Sequence, residues 1–226
     1  NGHIYAVTID VAGEDESARD EPGAGLVNQG RDSTALTVFE VDTSAIEDPL
    51  IGRPIYRVIN RHQWTGIKHS SLFARLAAII DHWQPAWIVI DATGVGQTLS
   101  SFLLDRYPNS ALPFVFTSTS KSALGWNMIA LVETGRYKEY VSSSEDQLHA
   151  DFWDQVENCQ YNILDGPGQL MRWGVPDGTR NQRTGELVHD DLVISAALVT
   201  ELDNQTFGLA ISQVLKAPDL FGKKEF

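Results

Sequence analysis

The chain has 226 residues, 42% of them hydrophobic, which suits one domain or one domain with a substantial extension. Its formal net charge of −13 is the opposite of what a protein gripping nucleic acid unaided should carry, because phosphate neutralisation supplies most non-specific affinity. No apolar run reaches membrane-spanning length, and the start Asn1-Gly2-His3 lacks the basic and apolar regions of a signal peptide.

The start also lacks an initiator methionine, which fits a piece of a longer protein. The single cysteine, Cys159, cannot form an internal disulfide; it reads as a helix-end thiol and points to a reducing compartment. Charge is unevenly spread. The first fifty residues carry acids from Asp10 to Asp48 against only Arg19 and Arg31, whereas Arg53, Arg57, Arg61, Lys68 and Arg75 follow with no acid until Asp81. A polyanion would have to approach a local face, or be held there by another domain.

In chain order, residues 4–10 read as a buried strand closed by Asp10. Residues 11–33 read as a long loop rich in Gly, Asp and Glu, with Glu21-Pro22-Gly23 as a turn signal. Residues 34–42 and 54–65 give two further strands, and hairpin-like connections predict an antiparallel meander. The period then changes: Leu72, Leu76, Ile79, Ile80 and Trp83 recur at helical spacing until Pro85. Strand 86–91 ends in Asp91, and a helix near 97–106 and strand 112–116 follow. A helix over 121–134 stops at Gly135, a good C-terminal cap. Ser144-Glu145-Asp146-Gln147 is a capping-box pattern opening a helix to residue 158. Residues 161–188 hold two short strands around glycines and a polar turn, residues 190–202 a last helix, and residues 204–226 a weakly patterned tail. This order predicts an α/β mixed sheet, an antiparallel three-strand meander followed by parallel βα units, with helices on both faces.

Three acidic positions stand out. Asp10 closes strand one, Asp91 closes the first strand after the meander, and Asp190 and Asp191 open an apolar helix. Singly, Asp10 reads as a turn acid and Asp190 and Asp191 as a helix cap, while Asp91 opens a glycine-rich strand-to-helix turn of a kind that can cradle a phosphate. Gly94-Val95-Gly96 lacks the third glycine of the dinucleotide pattern, and no Gly-Lys-Ser/Thr follows, so a mononucleotide site is unsupported. Jointly they read differently. Strands one and four are plausible neighbours in such a sheet, and the final helix can pack over them. Acids at the start of a helix this apolar are costly unless they face solvent or cations. Carboxylates converging at a sheet edge can hold two hard cations, the machinery of phosphodiester cleavage.

Asp10, then Asp32 in Gly30-Arg31-Asp32-Ser33-Thr34-Ala35, then Asp91-Ala92-Thr93-Gly94-Val95-Gly96, then His189-Asp190-Asp191-Leu192-Val193 make an ordered set. Over residues 1–203 it resembles the nuclease domain of the large terminase subunit of tailed bacteriophages, an RNase H-like fold. The resemblance implies an endonuclease that cuts concatemeric double-stranded viral DNA during packaging with two Mg²⁺ or Mn²⁺ ions. It implies Asp10, Asp91 and one of Asp190 and Asp191 as metal ligands, with an ATPase motor domain, portal and small terminase subunit as partners in the infected bacterium's cytoplasm. This chain has no Walker A sequence, and Ile194 and Ser195 stand where relatives carry a further acid one turn after the Asp-Asp pair.

Asp191 shares a helical face with Ser195, the polar interruption of an otherwise apolar stretch, so that face is expected to look into a wet site. Asp191 is therefore the favoured ligand, and Asp190 a cap or second choice. Asp32 reads as an outer-shell ligand or, more simply, a strand-start turn acid. His189 reads as a proton shuttle or, more simply, a polar residue at the helix start. Trp64, Trp126, Trp153 and Trp173 are expected in core or hinge packing rather than stacked on bases. Residues 165–188 read either as a solvated hairpin or as a flap whose Arg172, Arg180 and Arg183 touch DNA phosphates; the fallback DNA path is the Arg53-Arg57-Arg61 strand. Two other classes stay open: a different RNase H-like enzyme such as a junction resolvase or integrase, and a non-catalytic docking domain of a packaging motor.

Overall fold

The computed structural model describes residues 3–12, 33–94, 96–142, 146–166, 168–205 and 207. Six strands make one sheet: β1 (Tyr5–Asp10), β2 (Ser33–Asp42), β3 (Ile55–Thr65), β4 (Trp87–Asp91), β5 (Ala111–Phe114) and β6 (Tyr137–Lys138), in the spatial order β5-β4-β1-β2-β3-β6. β1, β2 and β3 form the antiparallel meander. β4 returns parallel to β1, and β5 parallel to β4, each through a helical crossover, as parallel pairing demands. The short β6, which the periodicity does not reveal, adds parallel to β3.

Period-two alternation splits the core between the two faces. Val7 and Ile9 of β1, Leu36 and Val38 of β2, and Ile88 and Ile90 of β4 point to one side. There they meet α1 (His69–Trp83), whose buried Leu72, Leu76 and Ile80 recur at helical spacing, and α2 (Gly96–Arg106), with Leu99 and Leu103. Burying each such side chain is worth about 1.5–3 kcal/mol. The opposite residues, Ala6, Ala35, Phe39 and Val89, face α3 (Ser118–Glu133), α4 (Gln147–Asn158) and α5 (Asp191–Ala197). A second, two-stranded sheet, β7 (Gln160–Ile163) paired antiparallel with β8 (Met171–Gly174), packs on α3. Gly125 of α3 permits that approach, since a methyl there would collide with Met171 and Trp173.

Helix ends depart from expectation for local reasons. α3 starts three residues early because Thr117 and Ser120 cap reciprocally, a box in which serine replaces the usual Glu or Gln. α4 is capped by Asp146, whose carboxylate accepts from His149 N at 3.1 Å; Ser144 and Glu145 of the expected box lie outside the described residues. The expected helix over 190–202 is α-helical only to Ala197 and winds on as a 3₁₀ helix, Leu198–Asn204. β-Branched Val199 and Thr200 disfavour α-helix at this point, and the tighter winding ends with Asp203 paired to Arg136 at 2.7 Å. Asp32, most of the 11–33 loop and residues 208–226 lie outside the described residues. No helix among the described residues is long and apolar enough to cross a membrane.

Candidate functional site

Parallel pairing of β1 with β4 runs through Ile9 opposite Ile90, so Asp10 and Asp91 leave adjacent strands at the same edge of the sheet. β2 is antiparallel to β1 and starts at that edge with Ser33. α5 lies over β1 and β2 with its N-terminus towards the same edge. Ser33 N donates to Asp191 Oδ2 at 3.1 Å, and Gln63 Nε2 lies 3.5 Å from the same oxygen. Asp10, Ala12, Phe116, Lys121, Asp190 and Asp191 line one cleft of about 200 Å³.

Asp91 is buried beside this cleft rather than on its wall. Its Oδ1 accepts from Thr93 N at 2.8 Å, and Thr93 Oγ1 in turn accepts from Phe116 N at 2.7 Å, tying the two loops that flank the site. Gly96 lets α2 begin close by: a Cβ there would stand 3.0 Å from the Asp91 carbonyl oxygen and 3.3 Å from Val11 Cβ. Burial pushes the Asp91 carboxyl up, against the hydrogen bonds from Thr93. Asp10 is pushed well above the usual carboxylate range, by burial first and then by the charges of Asp191, Asp91 and Asp190; Lys121 pulls the other way. These are like charges crowded in a poorly hydrated place, an arrangement that a cation relieves.

The two acids that open α5 are placed differently from one another. Asp191 is buried and held by Ser33 and Gln63. Asp190 occupies the N-cap position, yet its side chain makes no cap hydrogen bond. The orphan N–H groups of Leu192 and Val193 donate instead to Oε1 of buried Gln155 from α4, at 2.8 and 3.2 Å. The capping role expected for Asp190 is thus taken by Gln155, and the Asp190 carboxylate lies 3.7 Å from Lys121 Nζ. Gly174, at φ 141°, leaves room for it; a methyl there would overlap the carboxylate.

Other expectations are corrected. Ser195 does not face water: it is fully buried, donating to Thr8 O at 3.2 Å and pairing with Thr37 Oγ1 at 3.0 Å. The Asp191 face of α5 therefore reaches polar surroundings only at its first turn, because one turn further on it meets the middle of the sheet. The Arg53-Arg57-Arg61 strand offers no free row of cations. Arg53 pairs with Asp203, Arg57 with Asp42, and Arg61 is buried with both Glu139 oxygens at 2.7 Å and the Phe152 ring at 3.9 Å. Trp173 is buried as expected, but Trp126 and Trp153 remain 45% and 43% exposed. Their helices present the indole rings outward.

The residues of the expected flap fall into two parts. Arg172 is exposed on β8, opposite Asn162. Arg180 and Arg183 lie beyond it, in the exposed loop between β8 and α5. Arg180 donates to Gly185 O at 2.7 Å, and Arg183 reaches Asp154 of α4 at 3.0 Å. Asn181 also hydrogen-bonds to Asp154, so this loop is clasped to α4. Between them lies a cleft of about 530 Å³ lined by Arg183, Asp154 and His189, and also by Ser33 and Gln63, the two residues that hold Asp191. The loop thus borders the acidic cleft.

The donor set fits a divalent metal in kind: carboxylate oxygens from β1, β4 and α5, with no soft ligand among them. It is not gathered into a cage, for among the described residues no three His, Cys, Asp or Glu side chains stand close enough together to enclose an ion. Thr93 holds Asp91 to one side and Lys121 flanks Asp190 on the other.

Sequence reasoning missed Gln155, Lys121, Ser33 and Gln63. One signal was available: Lys121 puts a cation in the opening turns of a helix, against the preference set by the helix dipole.

Known proteins agree with this architecture. The terminase RNaseH-like domain profile matches residues 22–162, more than half of the chain. The crystal structure of the large terminase nuclease from thermophilic phage G20c with bound magnesium superposes with a TM-score of 0.56 at 22% identity, covering 88% of this chain and 81% of that one. Its cobalt-bound form gives 0.57 at 21% identity over 88% and 81%. At these identities the likeness shows the fold, which is RNase H-like. A probable terminase, ATPase subunit, of Haemophilus phage HP1 (strain HP1c1) is 26% identical over 103 residues, 46% of this chain. That stretch is only 16% of the phage HP1 protein. The chain belongs to the terminase RNaseH-like domain family.

Proposed function

We propose that this domain is a metal-dependent endonuclease that cuts double-stranded, concatemeric viral DNA during genome packaging, with two Mg²⁺ or Mn²⁺ ions. The observation that carries the reading is that Asp10 and Asp91 end adjacent parallel strands at the edge of the sheet where Asp190 and Asp191 open α5, four carboxylates from three separated stretches of chain. The G20c nuclease is known with magnesium, cobalt and zinc bound, which supports a divalent site here. Asp10 would bridge the ions; Asp91 would complete one shell and Asp191 the other, with Asp190 as second choice. The bound metals would activate a water for attack and stabilise the leaving 3′ oxygen.

The chain's own residues prepare that site. Ser33 and Gln63 fix the Oδ2 oxygen of Asp191 at the start of α5. Gln155 relieves the acids of capping α5. No side-chain nucleophile is required. Arg180 and Arg183, with Arg172 nearby on the hairpin, would position the duplex through its phosphates without reading bases. A net charge of −13 implies weak, salt-sensitive binding by the domain alone. The grip would come from an ATPase motor domain, with portal and small terminase subunit as further partners in the host cytoplasm. The phage HP1 relative is named an ATPase subunit and extends far beyond the matched stretch, which supports a motor outside this domain.

The test is Mn²⁺-dependent nicking of supercoiled plasmid. The parent should cut with little sequence preference, and Asp10→Asn and Asp91→Asn should lose at least about a hundredfold, as expected when charge stabilisation of the transition state is removed. Arg180→Ala with Arg183→Ala should weaken cutting and flatten its salt dependence while leaving Mn²⁺ binding unchanged. Near-parent cutting by either aspartate variant refutes the assignment. A parent that never cuts, with its carboxylates intact, favours a non-catalytic docking role.

A further inference from the structure

We infer that Lys121 is the resident cation of the acidic cleft, a positioning residue that holds Asp190 in the metal-free protein and yields it to the divalent ions. The inference rests on the proposed metal centre and deepens it. Among the described residues lining the cleft, Lys121 is the one basic side chain. Its placement is built rather than accidental. The Lys121 carbonyl accepts from the buried Trp173 indole Nε1 at 2.6 Å, and the ammonium lies 5.7 Å from the centre of the same ring. Trp173 is in turn packed against Gly125 of α3, where any larger residue would push it away.

The Asp190 side is equally arranged. Gln155 caps α5, so the Asp190 carboxylate is free of that duty. Gly174 lacks the Cβ that would fill its place. The resulting pair, 3.7 Å apart with side chains 38% and 29% exposed, is longer than a tight charged hydrogen bond and partly solvated. Such a pair is weak and easily exchanged. It offsets some of the repulsion among the carboxylates while no metal is bound. A divalent ion entering beside an ammonium is repelled by it, so the same lysine raises the metal concentration the site needs. By linkage, whatever Lys121 contributes to the metal-free state it subtracts from metal affinity.

Mn²⁺ titration followed by the paramagnetic resonance of the free ion, with metal-free thermal melting beside it, tests this without recourse to activity. Lys121→Gln should bind Mn²⁺ roughly three- to tenfold more tightly than the parent, the order expected for removing one charge near the site. It should also melt lower without metal, while Lys121→Arg keeps parent behaviour in both. In an Asp190→Asn background the Lys121→Gln change should lose most of its effect on metal-free melting, while the direct repulsion of Mn²⁺ persists. Unchanged or weaker Mn²⁺ binding by Lys121→Gln, in a protein that melts cooperatively, overturns the inference. So does a full effect on metal-free melting that persists in Asp190→Asn. A parent that binds no Mn²⁺ overturns the metal centre itself, an outcome visible before any lysine variant is compared.

Discussion

Replacing Gln155 with leucine isolates what positions the α5 acids. Gln155 Oε1 accepts from Leu192 N and Val193 N at 2.8 and 3.2 Å, and all three residues are buried. Leucine keeps much of the volume but leaves two buried N–H groups without an acceptor, each costing about 1–3 kcal/mol. Partial rearrangement of the first turn, or an admitted water, lowers the sum, so the expected loss is about 2–4 kcal/mol. For a chain of this size that corresponds to a melting temperature lower by about 5–15 °C. Gln155→Glu is the matched control, since a carboxylate still accepts both bonds and suits the positive end of a helix. Metal-free melts followed by circular dichroism at neutral pH read both variants. Frayed α5 also displaces Asp191, so Gln155→Leu should bind Mn²⁺ more weakly than the parent at temperatures where it remains folded. A Gln155→Leu protein melting within about 1 °C of the parent would show that the two bonds hold nothing.

Asp10 gives a pH prediction. Its folded carboxyl titrates above the unfolded value, so the stability linked to this group is present below the ordinary carboxylate range and is lost as pH rises through the raised folded value. Asp10→Asn should therefore melt higher than the parent at neutral pH without metal, and its melting temperature should fall less as pH rises above the ordinary carboxylate range; curves that run parallel to the parent's contradict this. Gly174→Ala combines a left-handed φ of 141° with a methyl overlapping the Asp190 carboxylate, and should cost about 1–3 kcal/mol in denaturant unfolding. Arg61→Ala leaves the mostly covered Glu139 carboxylate without its cationic partner and should cost about 3–5 kcal/mol. A near-neutral Arg61→Ala that instead loses DNA affinity would return that strand to the DNA path.

The pairing of Asp10 with Asp91 was legible in the sequence because both follow from strand order: a meander followed by a βα return puts strand four beside strand one, and each acid is the last residue of its strand. The division of labour at α5 was not. Local pattern makes Asp190 the natural cap, and only tertiary packing brings Gln155, some thirty-seven residues away in sequence, to the same N–H groups. Helical periodicity correctly put Ser195 on the Asp191 face. It carried no information that the face runs under β1 and β2, where a serine finds its partners in Thr8 and Thr37. Arg53, Arg57 and Arg61 looked like an exposed basic row because their acids, Asp203, Asp42 and Glu139, come from other parts of the chain.

The most direct test of the metal centre is anomalous diffraction from crystals soaked in Mn²⁺. Two peaks about 3.5–4 Å apart are expected, as in two-metal nucleases, with Asp10 bridging them and Asp91 and Asp191 each within ligand distance of one. Full occupancy by Mn²⁺ elsewhere on the molecule, with no peak beside Asp10, would contradict the account.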